Sequence, residues 1–316
     1  MEYTKLGNTD ITVSRICYGS WRLAGWDTKL DQGFLDTVSK ALDYGVTFFD
    51  TAEAYGDGHA EHLLGRVFKG KRQDVVIATK FPFQKSSPDQ IRKSVERSLR
   101  RLQTDYIDLY QQHWPPKKPP LHDAIETLQD LKREGKIRAI GVSNWMEPEW
   151  EEFGEPKEID SLQPCYSLLW RSIESSVLPL CQEHNLAVIP YSPLCQGLLT
   201  GKFTSLKNVP LDVRQKNRIF APGTFEKALG VVARVVDIAN ELKKTPSQVA
   251  LRWLLDHPGI TAPIVGASSP SQIEDNCGAC GWSLPEEMRL ELSELSAPLS
   301  EGLNPHDTLW DWHPRR

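Results

Sequence analysis

An acid, a phenol, an amine and an imidazole stand at, or just beyond, the ends of three short apolar runs in this chain. Asp50 and Tyr55 lie in VTFFDTAEAYG (Val46–Gly56), Lys80 closes DVVIATK, and His113 closes DYIDLYQQH. A carboxylate that ends so apolar a run is costly to bury unless a partner holds it. A phenol, with an ordinary pKa of about 10, is a poor acid or base at neutral pH unless it is perturbed. A nearby ammonium favours the phenolate, and a carboxylate keeps that ammonium charged and in place. An imidazole facing the same point can hydrogen-bond a carbonyl oxygen. The four together are equipment for protonating an oxygen while a hydride arrives at the adjacent carbon.

These groups meet only if the runs that carry them are neighbouring strands, and the rest of the chain supports that. Short apolar runs alternate with amphipathic stretches along almost the whole length. VTFFD is followed by a helical stretch around residues 61–68, then DVVIATK, then SPDQIRKSVERSLRRL with Ile91, Val95, Leu99 and Leu102 at helical spacing. The starts of two helices are marked by a cap, a proline and a glutamine: Ser87, Pro88 and Gln90, and again Thr245, Pro246 and Gln248. DYIDLYQQH, IRAIGVSN, IDSLQ, LAVIPYS and ITAPIVG read as further strands. LHDAIETLQDLKREG, ESSVLPLCQEHN, TPSQVALRWLLDH and SPSQIEDNCGAC read as helices. About eight strand–helix units, counted from RICYG, predict an α/β fold: a closed (β/α)8 TIM barrel occupying residues 1–316 as a single domain. YTKLGNTDITVS is expected to form a hairpin turning at Gly7–Asn8 over the barrel floor. The stretch between Leu194 and Pro222 shows little periodicity and is expected to be a functional loop. The tail from Pro298 carries Trp310 and Trp312, and the sequence leaves open whether they fold over the mouth.

A (β/α)8 barrel builds its site at the carboxyl ends of its strands. Those ends supply Gly19, Ser20 and Trp21; Asp50 and Tyr55; Lys80; His113; Ser143 and Asn144; Gln163; Tyr191 and Ser192; and Gly266 with Ser268. Trp21, Trp26, Trp114 and Trp145 follow strand ends, as pocket walls or as a cap over the barrel. Trp253, inside an amphipathic helix, is expected in the core.

The chain of 316 residues has 40% hydrophobic and 25% charged residues, an ordinary globular balance. A net charge of −5 argues against a nucleic-acid partner. No apolar run approaches the roughly 18 residues of a membrane-spanning helix, and the first residues do not read as a secretory signal, so a cytoplasmic protein is expected. Six scattered cysteines favour reduced thiols. His59-x-x-His62 and Cys277-x-x-Cys280 could suggest a metal or redox site, but they lie far apart and lack the supporting residues. His59 and His62 are expected to be helix-surface or cap residues, Cys277 and Cys280 lack the helix-start context of a redox pair, and no metal is expected.

FFDTAEAYGDGHAEHLLGRVF, DVVIATK, RSLRRLQTDYIDLYQQH, GKIRAIGVSN and YSPLCQGLLTGK together resemble the aldo-keto reductases over essentially the whole chain. The resemblance implies a (β/α)8 barrel that binds NAD(P)H in extended form, with neither a Rossmann domain nor a metal. The missing strand-to-helix G-x-G-x-x-G agrees with this. It places the family's catalytic tetrad on Asp50, Tyr55, Lys80 and His113. Tyr55 would be the general acid in reduction, its pKa lowered by Lys80, and His113 would orient the carbonyl. Trp21, Tyr55, His113 and Trp114 would line the substrate pocket. Ser20, Trp21 and Asp50 would border the cofactor, Ser143, Asn144 and Gln163 would hold its carboxamide, and Tyr191 would stack on its nicotinamide. Ser192, Pro193, Leu194, Gln196, Leu198, Lys202 and Arg214 would line the pyrophosphate. Gly266, Ser268, Gln272, Asp275 and Asn276 would surround the adenosine. GASS lacks the Lys or Arg that many members set against a 2′-phosphate, and Asp275 stands where relatives often carry Glu, so NADPH is expected with NADH use open. The implied activity is reduction of aldehydes or ketones to alcohols by a monomer acting on small molecules. Potassium-channel β-subunits are similar over the same region, so a redox-sensing partner protein with little turnover is the alternative. The retained His113 favours catalysis. A metal-dependent barrel hydrolase is a weaker rival, since the paired histidines such a site needs after an early strand are missing.

Overall fold

The computed structural model describes residues 1–25, 27–118, 120–301, 308–310 and 312–315; Trp26 lies outside them. An antiparallel hairpin of β1 (Tyr3–Lys5) and β2 (Thr12–Ser14) comes first. Eight parallel strands follow in a sheet ordered as in the chain: β3 (Cys17–Gly19), β4 (Phe48–Asp50), β5 (Val76–Phe81), β6 (Ile107–Gln112), β7 (Ile137–Ser143), β8 (Ser161–Gln163), β9 (Ala187–Val188) and β10 (Ile264–Val265). β10 pairs with β3. The last gap, between β9 and β10, is closed by the N–H of Thr261 donating to Val188 O and that of Ile264 to Pro190 O, both at 2.8 Å. The chain is therefore a (β/α)8 barrel. The strands expected over residues 186–192 and 260–266 are each only two residues long. Pro190 and Pro263 lack an N–H and interrupt the ladder there.

Strand side chains alternate between the barrel interior and the surrounding helices. Toward the floor the inward row is apolar, with Cys17, Phe48, Val76, Ala78, Leu109, Ala139 and Ala187 in one cluster. Leu6, Ile11 and Val13 of the hairpin join that cluster and plug the floor, as expected.

The outer layer is α1 (Asp31–Asp43), α2 (His59–Val67), α3 (Pro88–Leu102), α4 (Leu121–Arg133), α5 (Glu147–Phe153), α6 (Val177–Glu183), α7 (Thr224–Leu242), α8 (Pro246–Leu255) and α9 (Pro270–Cys277), followed by α10 (Glu286–Ser300) packed on α7. α1, α5, α7 and α10 are not named in the sequence reading, although α7 buries Phe225, Ala228, Val231, Val232, Val235 and Ile238 at helical spacing. Residues 195–220 form short 3-10 turns rather than long helices. Trp253 is buried and donates its indole N–H to Ser293 Oγ at 3.0 Å. Among the described residues, no helix is long and apolar enough to cross a membrane.

The tail crosses the barrel mouth. Arg218 N–H donates to Leu309 O at 3.1 Å, and Trp310 bridges Asn217. Trp312 and His313 meet the Trp114 ring at 5.1 and 5.6 Å between centroids. Arg315 pairs with Glu149 and Glu152 at the far side.

Candidate active site

The inward row turns polar at the carboxyl ends of the strands. Asp50 sits at the end of β4 beside Ala78 of β5, and Lys80, two residues on, faces the same side. Lys80 Nζ donates to Asp50 Oδ1 at 2.6 Å and to the Thr51 carbonyl at 2.8 Å, with the lysine fully buried. The opposing strand end is thus what holds the carboxylate that closes VTFFD. Tyr55 follows in a tight turn, its ring centroid 5.3 Å from Lys80 Nζ and 5.8 Å from the His113 ring, which meets it edge-on at 76°. His113 is carried in from β6, its N–H bound to Phe81 O at 3.1 Å. All four predicted groups meet at one end of the barrel.

Burial works against the Lys80 charge, but Asp50 and Tyr55 outweigh it and hold the ammonium above its ordinary range. Burial raises the Tyr55 phenol, Lys80 pulls it back down, and Asp50 pushes it up again; the net shift is upward. The pull of Lys80 expected from the sequence is present, yet desolvation of a nearly water-free phenol is larger. Tyr55 therefore stays protonated at neutral pH. The His113 imidazole is pushed down to about 3 by burial and then by Lys80, although the residue is partly exposed. It is a neutral hydrogen-bonding ring at neutral pH.

Asn144 has a left-handed backbone, φ 59°. Its Nδ2 donates to His113 O at 3.0 Å and to Ser143 Oγ at 3.1 Å, while Tyr191 OH donates to its Oδ1 at 2.8 Å. Ser143 Oγ donates to Gln163 O at 2.8 Å. Gln163 is already engaged: its Nε2 donates to Asp50 Oδ2 at 2.9 Å and to Gln111 Oε1 at 3.2 Å. Ser20 Oγ is buried without a hydrogen-bond partner, and Trp21 is half exposed at the rim. Trp114 is partly buried, whereas Trp145 is wholly buried with its N–H on Gln112 Oε1 at 2.9 Å, a core residue rather than a wall.

Beyond Tyr191, on either side of Pro193, the backbone is left-handed at Ser192, Cys195, Gln196 and Gly197, three of them non-glycine. Such residues cost free energy and cluster at ligand-holding loops. A Cβ on Gly197 would lie 2.8 Å from Lys202 Nζ, so the glycine lets that ammonium rest against the turn. Arg214 Nε donates to Gln196 O at 3.0 Å. Both cations lie over the Phe203 ring, at 4.9 and 5.6 Å. Burial, then Arg214, lowers the Lys202 pKa. Arg214 also pairs with Asp212, whose charge offsets part of this crowding, and an anion would relieve the rest. Leu198 is buried in the core and Leu194 partly exposed.

On the other rim, Ser268 N–H donates to Gln272 Oε1 at 2.7 Å, and Gly266 faces open space apart from Gly19 O at 3.9 Å. Asn276 is buried. Asp275 turns toward α8: Thr245 Oγ1 and Gln248 Nε2 donate to its Oδ1 at 2.8 and 3.1 Å, so it locks α9 to α8. Tyr18 OH donates to Ala267 O at 3.3 Å, tying β3 to the loop after β10. Sequence reasoning missed Gln111; the signal was a pair of amides, Gln111 and Gln112, at the end of a buried strand.

His59 pairs with Asp31 at the start of α2, His62 is exposed, and Cys277 and Cys280 are free thiols. Among the described residues, no three His, Cys, Asp or Glu side chains are grouped to hold a metal.

Residues 15–297 match the model of the aldo/keto reductase family. The chain belongs to that family. An aldo-keto reductase of Bacillus subtilis is 37% identical over 93% of both chains. The NADH-specific methylglyoxal reductase of Escherichia coli is 33% identical over 95% of this chain and 99% of its own. Among solved structures, a glycerol dehydrogenase from Gluconobacter oxydans superimposes with a TM-score of 0.87 at 34% identity, covering 95% of this chain and 97% of its own. An aldo-keto reductase from Klebsiella pneumoniae in complex with NADPH gives a TM-score of 0.79 at 30% identity, over 93% and 95%. This aldo-keto reductase thus has oxidoreductases for relatives along nearly its entire length.

Proposed function

We propose that the chain is an NAD(P)H-dependent reductase of aldehyde or ketone carbonyls, a single cytoplasmic domain that acts as a monomer on small molecules. The observation that carries this reading is the buried Lys80–Asp50 pair at 2.6 Å with Tyr55 and His113 beside it at the barrel mouth. A buried Ser20 hydroxyl without a partner, the strained turn at 192–197 and the crowded Lys202 and Arg214 fit a dinucleotide there. Ser143, Asn144, Gln163 and Tyr191 would hold its nicotinamide end, and Lys202 and Arg214 its phosphates.

When bound, the reduced nicotinamide supplies a hydride. Tyr55, protonated at neutral pH, gives a proton to the carbonyl oxygen, and Lys80 offsets the negative charge left on the phenol. Neutral His113 hydrogen-bonds the same oxygen and fixes its direction. In alcohol oxidation Tyr55 acts as the base, so that direction gains rate as pH rises. NADPH is the proposed cofactor and NADH the alternative, relatives of both kinds being known.

The test is a fluorescence titration with NADPH and with NADH, followed by cofactor oxidation over a panel of aldehydes and ketones. Binding with turnover supports the reading. Binding without turnover on any carbonyl would instead make the chain a cofactor-sensing partner protein.

A further inference from the structure

We propose that Gln111, in β6, is a positioning residue for this reaction: it holds the Asp50 carboxylate in place against Lys80. The inference rests on the catalytic reading above and deepens it.

Asp50 is buried and must satisfy both of its oxygens. Oδ1 is taken by Lys80. Oδ2 accepts from Gln163 Nε2 at 2.9 Å and from Gln111 Nε2 at 3.3 Å. Gln111 Oε1 in turn accepts from Gln163 Nε2 at 3.2 Å, so the two amides brace one another on the same carboxylate oxygen. A buried carboxylate facing one cation is costly unless its other lone pairs find donors.

Space for this brace is built into the next strand. In the register Gln111 lies beside Lys80 on one side and Gly141 on the other. A Cβ at Gly141 would come within 2.7 Å of Gln111 Cγ and 2.6 Å of Ser161 Oγ, so the missing side chain is what admits the amide. Gln111 is wholly buried, so it acts on the chemistry through Asp50 rather than by touching substrate.

The ionisable groups around Asp50 are Lys80 on β5, Tyr55 on the turn after β4, and Cys17 on β3, with His113 beyond Lys80. Burial raises the Cys17 thiol well above its ordinary range, followed by the Asp50 charge, so Cys17 stays neutral and leaves Asp50 as the carboxylate that faces Lys80. Loss of the Gln111 donor leaves Asp50 less well held. Asp50 then supports the Lys80 ammonium less, and Lys80 supports the Tyr55 phenolate less.

The experiment compares wild type with Gln111→Leu and Gln111→Glu, in reduction and in alcohol oxidation, from about pH 6 to about pH 10, alongside NADPH titration. For Gln111→Leu the expected result is NADPH affinity within about twofold, kcat roughly tenfold lower, and the rising limb of oxidation moved about one pH unit toward alkali. Gln111→Glu adds a second carboxylate beside Asp50, and the like charge raises the pKa at which the second of the two ionises. Protonated, the new acid donates to Oδ2 as the amide does, so reduction is best retained at the acid end and lost as pH rises. If Gln111→Leu does not fold, Gln111→Met is read in the same way. A Gln111→Leu profile that overlays wild type after scaling, or a loss of NADPH affinity as large as the loss in kcat, overturns the proposal. Tyr55→Phe is the control. If it is inactive while the Gln111 profiles are unshifted, only this inference fails; if it turns over at wild-type rate, the catalytic reading itself fails.

Discussion

Lys80 and Asp50 face each other across 2.6 Å with almost no solvent access to either side chain. Removing one partner of such a pair leaves the other charged and stranded. Lys80→Met is expected to lower unfolding free energy by about 3–5 kcal/mol, and Asp50→Leu with Lys80→Met by less than the sum of the two single changes; urea titrations of the three variants check this. His113 makes a second residue-scale prediction. Its imidazole protonates near 6.5 in the unfolded chain and at about 3 in the folded one. Between those values the unfolded state holds the extra proton, so this contribution is complete above pH 6.5 and is lost as pH falls toward 3. The slope is up to about 1.4 kcal/mol per pH unit. Unfolding midpoints measured from neutral pH downward should fall less steeply for His113→Asn than for wild type. The types and positions of Asp50, Tyr55, Lys80 and His113 were legible because strand ends converge in a barrel. The net rise of the Tyr55 pKa was not, because it depends on how much water reaches the phenol. Nor was the turn of Asp275 toward Thr245 and Gln248, which requires knowing that α8 lies alongside.

The elements were legible where local chemistry marks them. Thr245 shows this in α8: its Oγ1 accepts from Gln248 N–H at 3.2 Å while Gln248 Oε1 accepts from Thr245 N–H at 3.2 Å, the reciprocal cap the sequence announced. Thr245→Ala should cost about 1–2 kcal/mol by urea unfolding, near the upper end because the same hydroxyl also donates to Asp275. The hairpin was legible from Gly7; its φ is +55°, and a Cβ there would lie 2.7 Å from Asp160 O, so no side chain fits. α7 escaped because it follows a run of 3-10 turns with no cap residue before it; a glycine with a non-helical backbone, Gly223, stands at its start. The last two strands came out short because proline removes ladder donors without altering the apolar pattern that suggested them.

At the scale of the whole molecule, the tail ties together parts that the barrel alone leaves apart. It pairs with Asn217 and Arg218, covers Trp114 with Trp312 and His313, and ends in ion pairs with α5. No periodic pattern announces such a path, since the contacts are single aromatic rings and charges rather than a repeating face. A chain ending at Ser300 should retain barrel unfolding and NADPH affinity within about threefold, while KM for carbonyls rises several-fold; steady-state kinetics with two aldehydes of different size checks it. The central claim is that one phenol, set against a buried ammonium, delivers the proton. The most direct measurement is Tyr55→Phe with NADPH titration and single-turnover cofactor oxidation on one carbonyl the wild type accepts. The account predicts unchanged cofactor binding and turnover lower by at least about a hundredfold; turnover near the wild-type rate would contradict it.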